Sequence, residues 1–378
     1  MSDRSIVFVV NALTHGGAEI QVSRLARGLA RRGWKVAVVS MIRPEALVPE
    51  LEATGVAVHC LDMTPGVPNP LAILRLRRIL NAFRPQIVHS HIAHANILSR
   101  VTRMITSVPV LVCTAHNTNE GGRMLMLAYR YTDWLADVTT NVSVAGVRRQ
   151  VEMRSARPDR VQFMPNGLDL EHFRADPALR ADARRALGVG DKFVWLAVGR
   201  MEEAKDYPNL LNAFAALSVR RPDALLLVAG QGKLEGELRA LAGGLGLEDR
   251  VRFLGVRGDV ASVMNAADGY VMSSRWEGMP LVLQEAAAVG LVVVATDVGG
   301  NAEVVCHGES GYLVPAGDSP ALATAMSDVM GLSPERRREM GEKGRSYVES
   351  RFGMEQVLTQ WEALYRGILE KRGVARCA

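Results

Sequence analysis

The stretch Ser274–Gly300, SRWEGMPLVLQEAAAVGLVVVATDVGG, sets two glutamates, Glu277 and Glu285, eight residues apart. Between them Gly278-Met279-Pro280 reads as a tight turn into a helix, because proline is tolerated at a first helical position where no N–H partner is needed. A helix beginning near Pro280 turns the N–H groups of Leu281 and Val282 outward at its positive end, an arrangement that binds phosphate without a side chain. Glu285 falls about one turn further in, while Glu277 stays on the loop. The two carboxylates therefore flank a phosphate-sized site, as two contacts along one long ligand. A retaining glycosidase needs its carboxyl pair only ~5–5.5 Å apart across one bond, which this loop-plus-helix spacing does not provide.

The run E-G-M-P-L-V-L-Q-E resembles the E-x7-E motif of the retaining glycosyltransferases of family 4. The text that follows, Thr296-Asp297-Val298-Gly299-Gly300-Asn301-Ala302-Glu303 and Gly308-Glu309-Ser310-Gly311-Tyr312-Leu313-Val314, is similar to the same family. The resemblance implies an α/β chain of GT-B architecture: two Rossmann-like, doubly wound domains facing a central cleft.

Length and composition agree with that class. A chain of 378 residues is long for one core, and short apolar runs alternate with amphipathic helical stretches. Cys60, Cys113, Cys306 and Cys377 are scattered without C-x-x-C spacing, so neither a disulfide framework nor a zinc site is expected. A reducing cytoplasm fits. Cys377 is next to last, which is not a prenylation position. The N-terminus lacks a charged-then-apolar signal, and no apolar run reaches the ~20 residues that span a bilayer. Charge is uneven: residues 1–172 hold 20 Lys and Arg against 13 Asp and Glu, and the remainder 25 against 27. The basic half invites an anionic partner. No nucleic-acid motif or aromatic-interleaved basic run appears, so nucleic acid is not expected, and an anionic membrane surface at the inner face of the plasma membrane or a phosphorylated acceptor fits better.

Along the chain, Ile6–Val10 is a continuous apolar run of the parallel-sheet kind, followed by helical spacing over 18–32. The loop between them contains His15-Gly16-Gly17, where positions without side chains let a ligand approach a helix N-terminus. It is not a G-x-G-x-x-G fingerprint, and its similarity to the family's glycine-rich first loop implies donor or acceptor contact at Gly16 and Gly17. Further strands are expected over 36–40, 56–60, 87–90 and 110–114, with functional residues at their C-terminal ends. His89-Ser90-His91-Ile92-Ala93-His94 resembles a metal-binding H-x-H-x-x-H, but Ala93 replaces the carboxylate such motifs carry, so no metal is expected. His116, just after the next strand, resembles the family histidine that contacts the donor sugar.

Leu71–Arg84 combines an apolar stripe with Arg75, Arg77, Arg78 and Arg84, and reads as a sheet-covering helix with a solvated basic face. Arg123–Leu135 differs: Met124, Leu125, Met126, Leu127, Tyr129, Tyr131 and Trp134 leave little room for a polar face, so part of it should be exposed. Pro165-Asn166-Gly167-Leu168-Asp169 resembles the family's hinge. The expected division is 1–172 for an acceptor-side domain and 173–352 for a nucleotide-sugar domain, with a terminal helix over 353–371 crossing back to the first.

In the second half Gly199 permits a sharp exit from a strand, and Arg200 and Lys205 offer two fixed positive charges where a diphosphate needs them. The spacing is similar to the family's G-R-x4-K, although Asp206-Tyr207-Pro208 departs from the glycine or asparagine usual after the lysine. At Gly255-Val256-Arg257 the resemblance implies main-chain contact with the nucleotide base, which leaves the base unspecified, of UDP or GDP type.

These motifs fall in order over nearly the whole chain and imply a retaining transfer from a nucleotide-diphosphate-sugar, with no other cofactor, to a glycan or lipid-linked acceptor. Arg200, Lys205 and the Leu281 and Val282 amides would steady the leaving diphosphate. Glu285 would hold the ribose, and Glu277 the sugar hydroxyls. A nucleotide-sugar epimerase of the same architecture and a silent partner subunit stay open as alternatives, although a silent subunit has no need of all four charged residues. A dehydrogenase is disfavoured, because neither half pairs G-x-G-x-x-G with an acidic residue about 20 positions on.

Overall fold

The computed structural model describes residues 4–14, 16–118 and 123–373. His15 of the glycine loop and Cys377 lie outside them. The chain forms two compact units, one running to Gly167 and resuming at Met354, the other Leu168–Gly353. The division falls at Gly167, five residues before the break the sequence suggests after His172.

The first unit is built on seven strands: β1 (Ser5–Val10), β2 (Lys35–Ile42), β3 (Ala57–Met63), β4 (Ile87–His91), β5 (Val110–Ala115), β6 (Val138–Asn141) and β7 (Val161–Phe163). They lie in the order β3-β2-β1-β4-β5-β6-β7, with every pairing parallel. All six residues of β1 are buried, as a strand covered by helices on both faces requires. The short, Thr-rich β6 is absent from the sequence expectation, because V-T-T-N has no apolar run to announce it.

The second unit repeats the plan with β8 (Phe193–Val198), β9 (Ala224–Ala229), β10 (Val251–Gly255), β11 (Gly269–Met272), β12 (Val292–Thr296) and β13 (Gly311–Val314), ordered β10-β9-β8-β11-β12-β13. Both orders reverse direction once, between β1 and β4 and between β8 and β11. A doubly wound sheet opens a crevice at the carboxyl ends of the two strands that flank such a reversal, so each unit has one such place.

The helix Met354–Lys371 belongs to the first unit. Its buried face, Val357, Leu358, Trp361, Tyr365, Ile368 and Leu369, packs with Phe8, Val22, Leu25, Leu29 and Trp34. Gly28 allows the close approach, since a Cβ there would sit 2.5 Å from Leu358 Cδ1. Arg32 ties the rim through Glu355 and Glu362, each at 2.6 Å, and Trp34 donates to Glu362 at 2.8 Å. The helix Leu71–Phe83 buries Ala72, Leu76 and Leu80 and turns its arginines outward, apart from Arg75, which donates to the Leu61 carbonyl. No helix among the described residues is long and apolar enough to cross a membrane.

Because Trp361 fills the centre of that packing face, Trp361→Ala is expected to destabilise the first unit by ~3–5 kcal/mol. Urea unfolding followed by far-UV circular dichroism checks this. An unchanged midpoint would show the helix to be a peripheral attachment.

Candidate active site

In the second unit β8 leaves its sheet at Gly199 (φ +157°) and β9 leaves at Gly230 (φ +135°). The two exits touch through their backbones: a Cβ on Gly230 would lie 2.1 Å from the Gly199 carbonyl oxygen. Gly230 N–H donates to the Gly255 carbonyl at 2.8 Å, which draws in the end of β10. There Val256 is largely exposed, and Arg257 is held by both oxygens of Asp259 at 2.8 and 2.6 Å. Tyr207 donates to the Gly199 carbonyl at 3.1 Å. Burial, with the negative Glu277 adding to it, pushes the Tyr207 hydroxyl well above its ordinary value, so it stays protonated and keeps donating.

The reversal between β8 and β11 is bridged by an ion pair. Lys205, on the turn that follows β8, places Nζ 2.5 Å from Glu277 Oε1, on the loop that follows β11. Ser274 Oγ donates to the same oxygen at 2.7 Å, and the Ser274 carbonyl accepts from Thr296 Oγ1, at the end of β12, at 2.7 Å. The 297–300 loop is strapped to this loop as well. Gly300 N–H donates to the Gly278 carbonyl at 2.6 Å, and a Cβ on Gly299 (φ +54°) would come within 2.0 Å of the Glu277 carbonyl oxygen.

The helix Leu281–Val289 starts one residue later than the proline placement suggests. Pro280 is its N-cap, not its first helical residue: its ψ of 122° is extended, while its carbonyl accepts from Leu283 N–H at 3.1 Å. Leu281 and Val282 thus occupy the first two helical positions, whose N–H groups have no acceptor within the helix. Glu285 lies buried on the same helix. Arg200 departs from the expectation of two fixed charges. Its side chain is 76 % exposed and pairs with Glu202 at 3.3 Å on its own loop, so only Lys205 is locked in place.

In the first unit Gly16 caps the helix Gly17–Arg31, and the Glu19 carboxylate folds back over it, 2.3 Å from where a Gly16 Cβ would be. An anion arriving at Gly16 and Gly17 therefore has to displace Glu19. Across the β1/β4 reversal Asn11 accepts from Ala95 N–H at 3.1 Å and lies 3.5 Å from His94 Nδ1.

The three histidines of the H-x-H-x-x-H stretch separate. His89, wholly buried, bridges Tyr365 on the C-terminal helix and Thr114 on β5, at 2.6 Å each. Its ring packs 4.6 Å from that of Trp361. His91 turns to the half-buried His116, with 2.9 Å between His91 Nδ1 and His116 Nε2. Among the described residues no group of three or more His, Cys, Asp or Glu is arranged to hold a metal ion. The roles of Ser274, Thr296, Tyr207 and His91 escape the sequence reading, since each rests on a contact that residue spacing does not show.

Two family models cover most of the chain, Glycosyltransferase Family 4 over residues 15–172 and Glycosyl transferases group 1 over residues 180–347. The chain is 31 % identical over 389 aligned positions to the D-inositol 3-phosphate glycosyltransferase of Saccharomonospora viridis, covering 93 % of this chain and 89 % of that protein. It is 30 % identical over 319 positions to the phosphatidyl-myo-inositol mannosyltransferase of Mycobacterium leprae, covering 82 % and 83 %. In fold it is similar to Anabaena HepE, solved with UDP and glucose, at a TM-score of 0.87 and 21 % identity over 96 % of this chain and all of the other.

Burial holds His89 and His91 well below the usual histidine value and brings His116 down to about 4. Above pH ~6.5 all three are neutral both folded and unfolded. As pH falls below that, the unfolded chain takes up protons first, so stability drains away until the folded histidines titrate, His116 near 4. The expected loss is roughly 1 kcal/mol per pH unit for each histidine. Urea midpoints at pH 7.5 and 5 measure it, and equal midpoints would mean that these histidines are not buried neutral.

Proposed function

Since the chain belongs to the family 4, group 1 glycosyltransferases, we propose that it moves a sugar from a nucleotide-diphosphate-sugar of UDP or GDP type to a glycan or lipid-linked acceptor, with retention at the anomeric carbon and without a metal. The observation that carries the donor assignment is the Lys205–Glu277 pair at the β8/β11 reversal, next to the N-terminus of Leu281–Val289. It sets a cation, a carboxylate and two backbone donors that have no acceptor within their helix at the place where an α/β sheet takes its ligand.

In this reading Lys205 and the Leu281 and Val282 amides meet the negative charge that grows on the leaving diphosphate. Preorganised donors of this sort stabilise a transition state more than a ground state, and they need no Lewis acid to do so. Arg200, free to swing on its exposed loop, adds a second charge when the donor arrives. Glu285 holds the ribose hydroxyls, and Gly199 with the backbone at Val256 and Arg257 receives the nucleotide. Glu277 orients the sugar hydroxyls, His116 contacts the sugar, and Gly16 and Gly17 line the approach. The leaving phosphate oxygen takes the acceptor proton as the acceptor attacks from the face it vacates, so the configuration is kept without a protein nucleophile.

Lys205→Ala is expected to lower kcat by ~10²–10³ at saturating donor, the size of losing one charge-stabilising donor. Arg200→Ala should also act on kcat more than on KM. Activity should persist in EDTA. Wild-type kcat in both variants would overturn the diphosphate assignment, and complete loss in EDTA restored by Mg²⁺ or Mn²⁺ would overturn the metal-free mechanism.

The acceptor reading rests on the helix Arg123–Thr132 and the turn after it. Met124, Tyr131 and Trp134 are 81, 71 and 64 % exposed, while buried Tyr129 anchors the helix from beneath. Asn96 donates to the Tyr129 hydroxyl at 2.6 Å, and the Arg100 guanidinium lies 4.7 Å from the ring centre. Arg100 also donates to the Tyr129 carbonyl at 3.2 Å and to Thr139 at 3.0 Å. An exposed apolar face held this firmly, on the basic half of the chain, suits a lipid-linked acceptor at the cytoplasmic surface of an anionic membrane. Each basic residue adds only ~1 kcal/mol there, so the attachment is peripheral and reversible. Co-sedimentation with anionic liposomes should weaken at high salt and drop when Met124, Met126 and Trp134 are made polar. Equal partitioning onto neutral and anionic liposomes, or none, would favour a soluble acceptor.

A further inference from the structure

The contact between His91 and His116 carries an inference about where the His116 proton sits. His91 is the last residue of β4 and fully buried, its ring 4.0 Å from that of His89 and 5.8 Å from that of Phe8. Nδ1 meets His116 Nε2 at 2.9 Å, and Nε2 has no hydrogen-bond partner. The partner offered to His116 here is another imidazole, which can share one proton with it but cannot balance a positive charge as a carboxylate would.

Two neutral imidazoles place one proton in their shared bond. If His116 donated it from Nε2, His91 would have to carry its own proton on Nε2, as a buried N–H with no acceptor. If His91 donates from Nδ1, what remains at its Nε2 is only an unused lone pair. Orphaned buried N–H groups are rarer in folded proteins than under-used acceptors, so the second arrangement is the stable one. With its Nε2 accepting, a neutral His116 carries its proton on Nδ1.

The chain beyond His91 is held to this geometry. Ile92 has φ +72° and ψ 149°, a conformation that a β-branched residue adopts only under constraint. Its N–H donates to the Thr114 carbonyl and its carbonyl accepts from Asn96 N–H, both at 3.0 Å, so the turn is fixed from both sides. Strained residues of this kind persist where surrounding contacts over-determine them, and they gather at functional sites.

We propose that His91 is a positioning residue for His116: it fixes the ring and holds it as the Nδ1–H tautomer, making His116 a hydrogen-bond donor at Nδ1. That this serves sugar transfer rests on the function proposed above, whereas the tautomer itself does not. The test uses the full chain labelled with 15N-histidine, unliganded, near pH 7. Long-range 1H–15N correlation reads the tautomer of each of the eight histidines, and the His116→Gln spectrum identifies the His116 signals.

The expected result is the Nδ1–H pattern for His116 in the wild type and in His91→Asn, whose amide N–H stands near the place of the imidazole Nδ1–H. His91→Leu, close to Asn in shape but without a donor, should revert His116 to the Nε2–H form that free imidazole side chains favour. With a nucleotide-sugar that the wild type turns over, His91→Leu should lower kcat by about tenfold with little change in donor KM, and His91→Asn should restore most of it. An Nε2–H pattern for His116 in the wild type overturns the proposal, as does a His91→Leu protein with wild-type tautomer and kcat. Should no nucleotide-sugar be turned over, the transferase reading fails while the spectra still decide the role of His91.

Discussion

The Lys205–Glu277 pair is the constraint on which the second unit's candidate site depends. Its partners arrive on separate loops, one after β8 and one after β11, and at 2.5 Å it leaves neither loop free to drift. Taking two charges out of water is costly, and a pair of this kind is kept only where hydrogen bonds complete it. Ser274 supplies one to the shared oxygen, and Thr296 fixes Ser274 in turn. The bare backbone at Gly299 lets its loop close on the pair, where a side chain would collide with the Glu277 carbonyl, and a Cβ on Gly199 would press on the Lys205 side chain at 3.1 Å. Specific packing of main chain thus positions the two charged groups at the β8/β11 reversal.

The first unit solves a similar problem with neutral groups. His89, His91 and His116 lie along the ends of β4 and β5, and burial keeps them uncharged. The C-terminal helix takes part, since Tyr365 closes one end of the chain of contacts at His89 while the Trp361 ring packs, tilted, against the same ring. The C-terminal helix, whose Tyr365 is 276 residues from His89 in sequence, therefore helps to set the environment of this histidine run.

Both doubly wound sheets and the glutamate-bearing loop were legible in the sequence, because continuous apolar strands and glycine exits are local signals. Strand β6 was not, since Thr139 and Thr140 are buried through hydrogen bonds and packing that only neighbouring strands reveal. The candidate site was legible as a set of charges but not as a geometry. Lys205 and Arg200 look alike in the text, yet one is locked by Glu277 and the other pairs with Glu202 at the surface. The histidine run H-S-H-I-A-H reads as one motif, and the fold splits it three ways: toward the C-terminal helix, toward His116, and toward Asn11. For Lys205 and the three histidines the deciding partner follows another strand or lies at the far end of the chain, where spacing carries no signal.

In the proposed function the second unit binds a nucleotide through its diphosphate and sugar together. The most direct measurement is the shift in thermal unfolding midpoint across a panel of UDP- and GDP-sugars, with the free diphosphates, the monophosphates and the free sugars alongside. One nucleotide-diphosphate-sugar should raise the midpoint most, since a ligand at ~100 times its Kd adds about 2.7 kcal/mol to stability. The monophosphate should give little, and Glu285→Ala should abolish the shift. No shift with any member of the panel, or an equal shift with monophosphate and diphosphate, would contradict it.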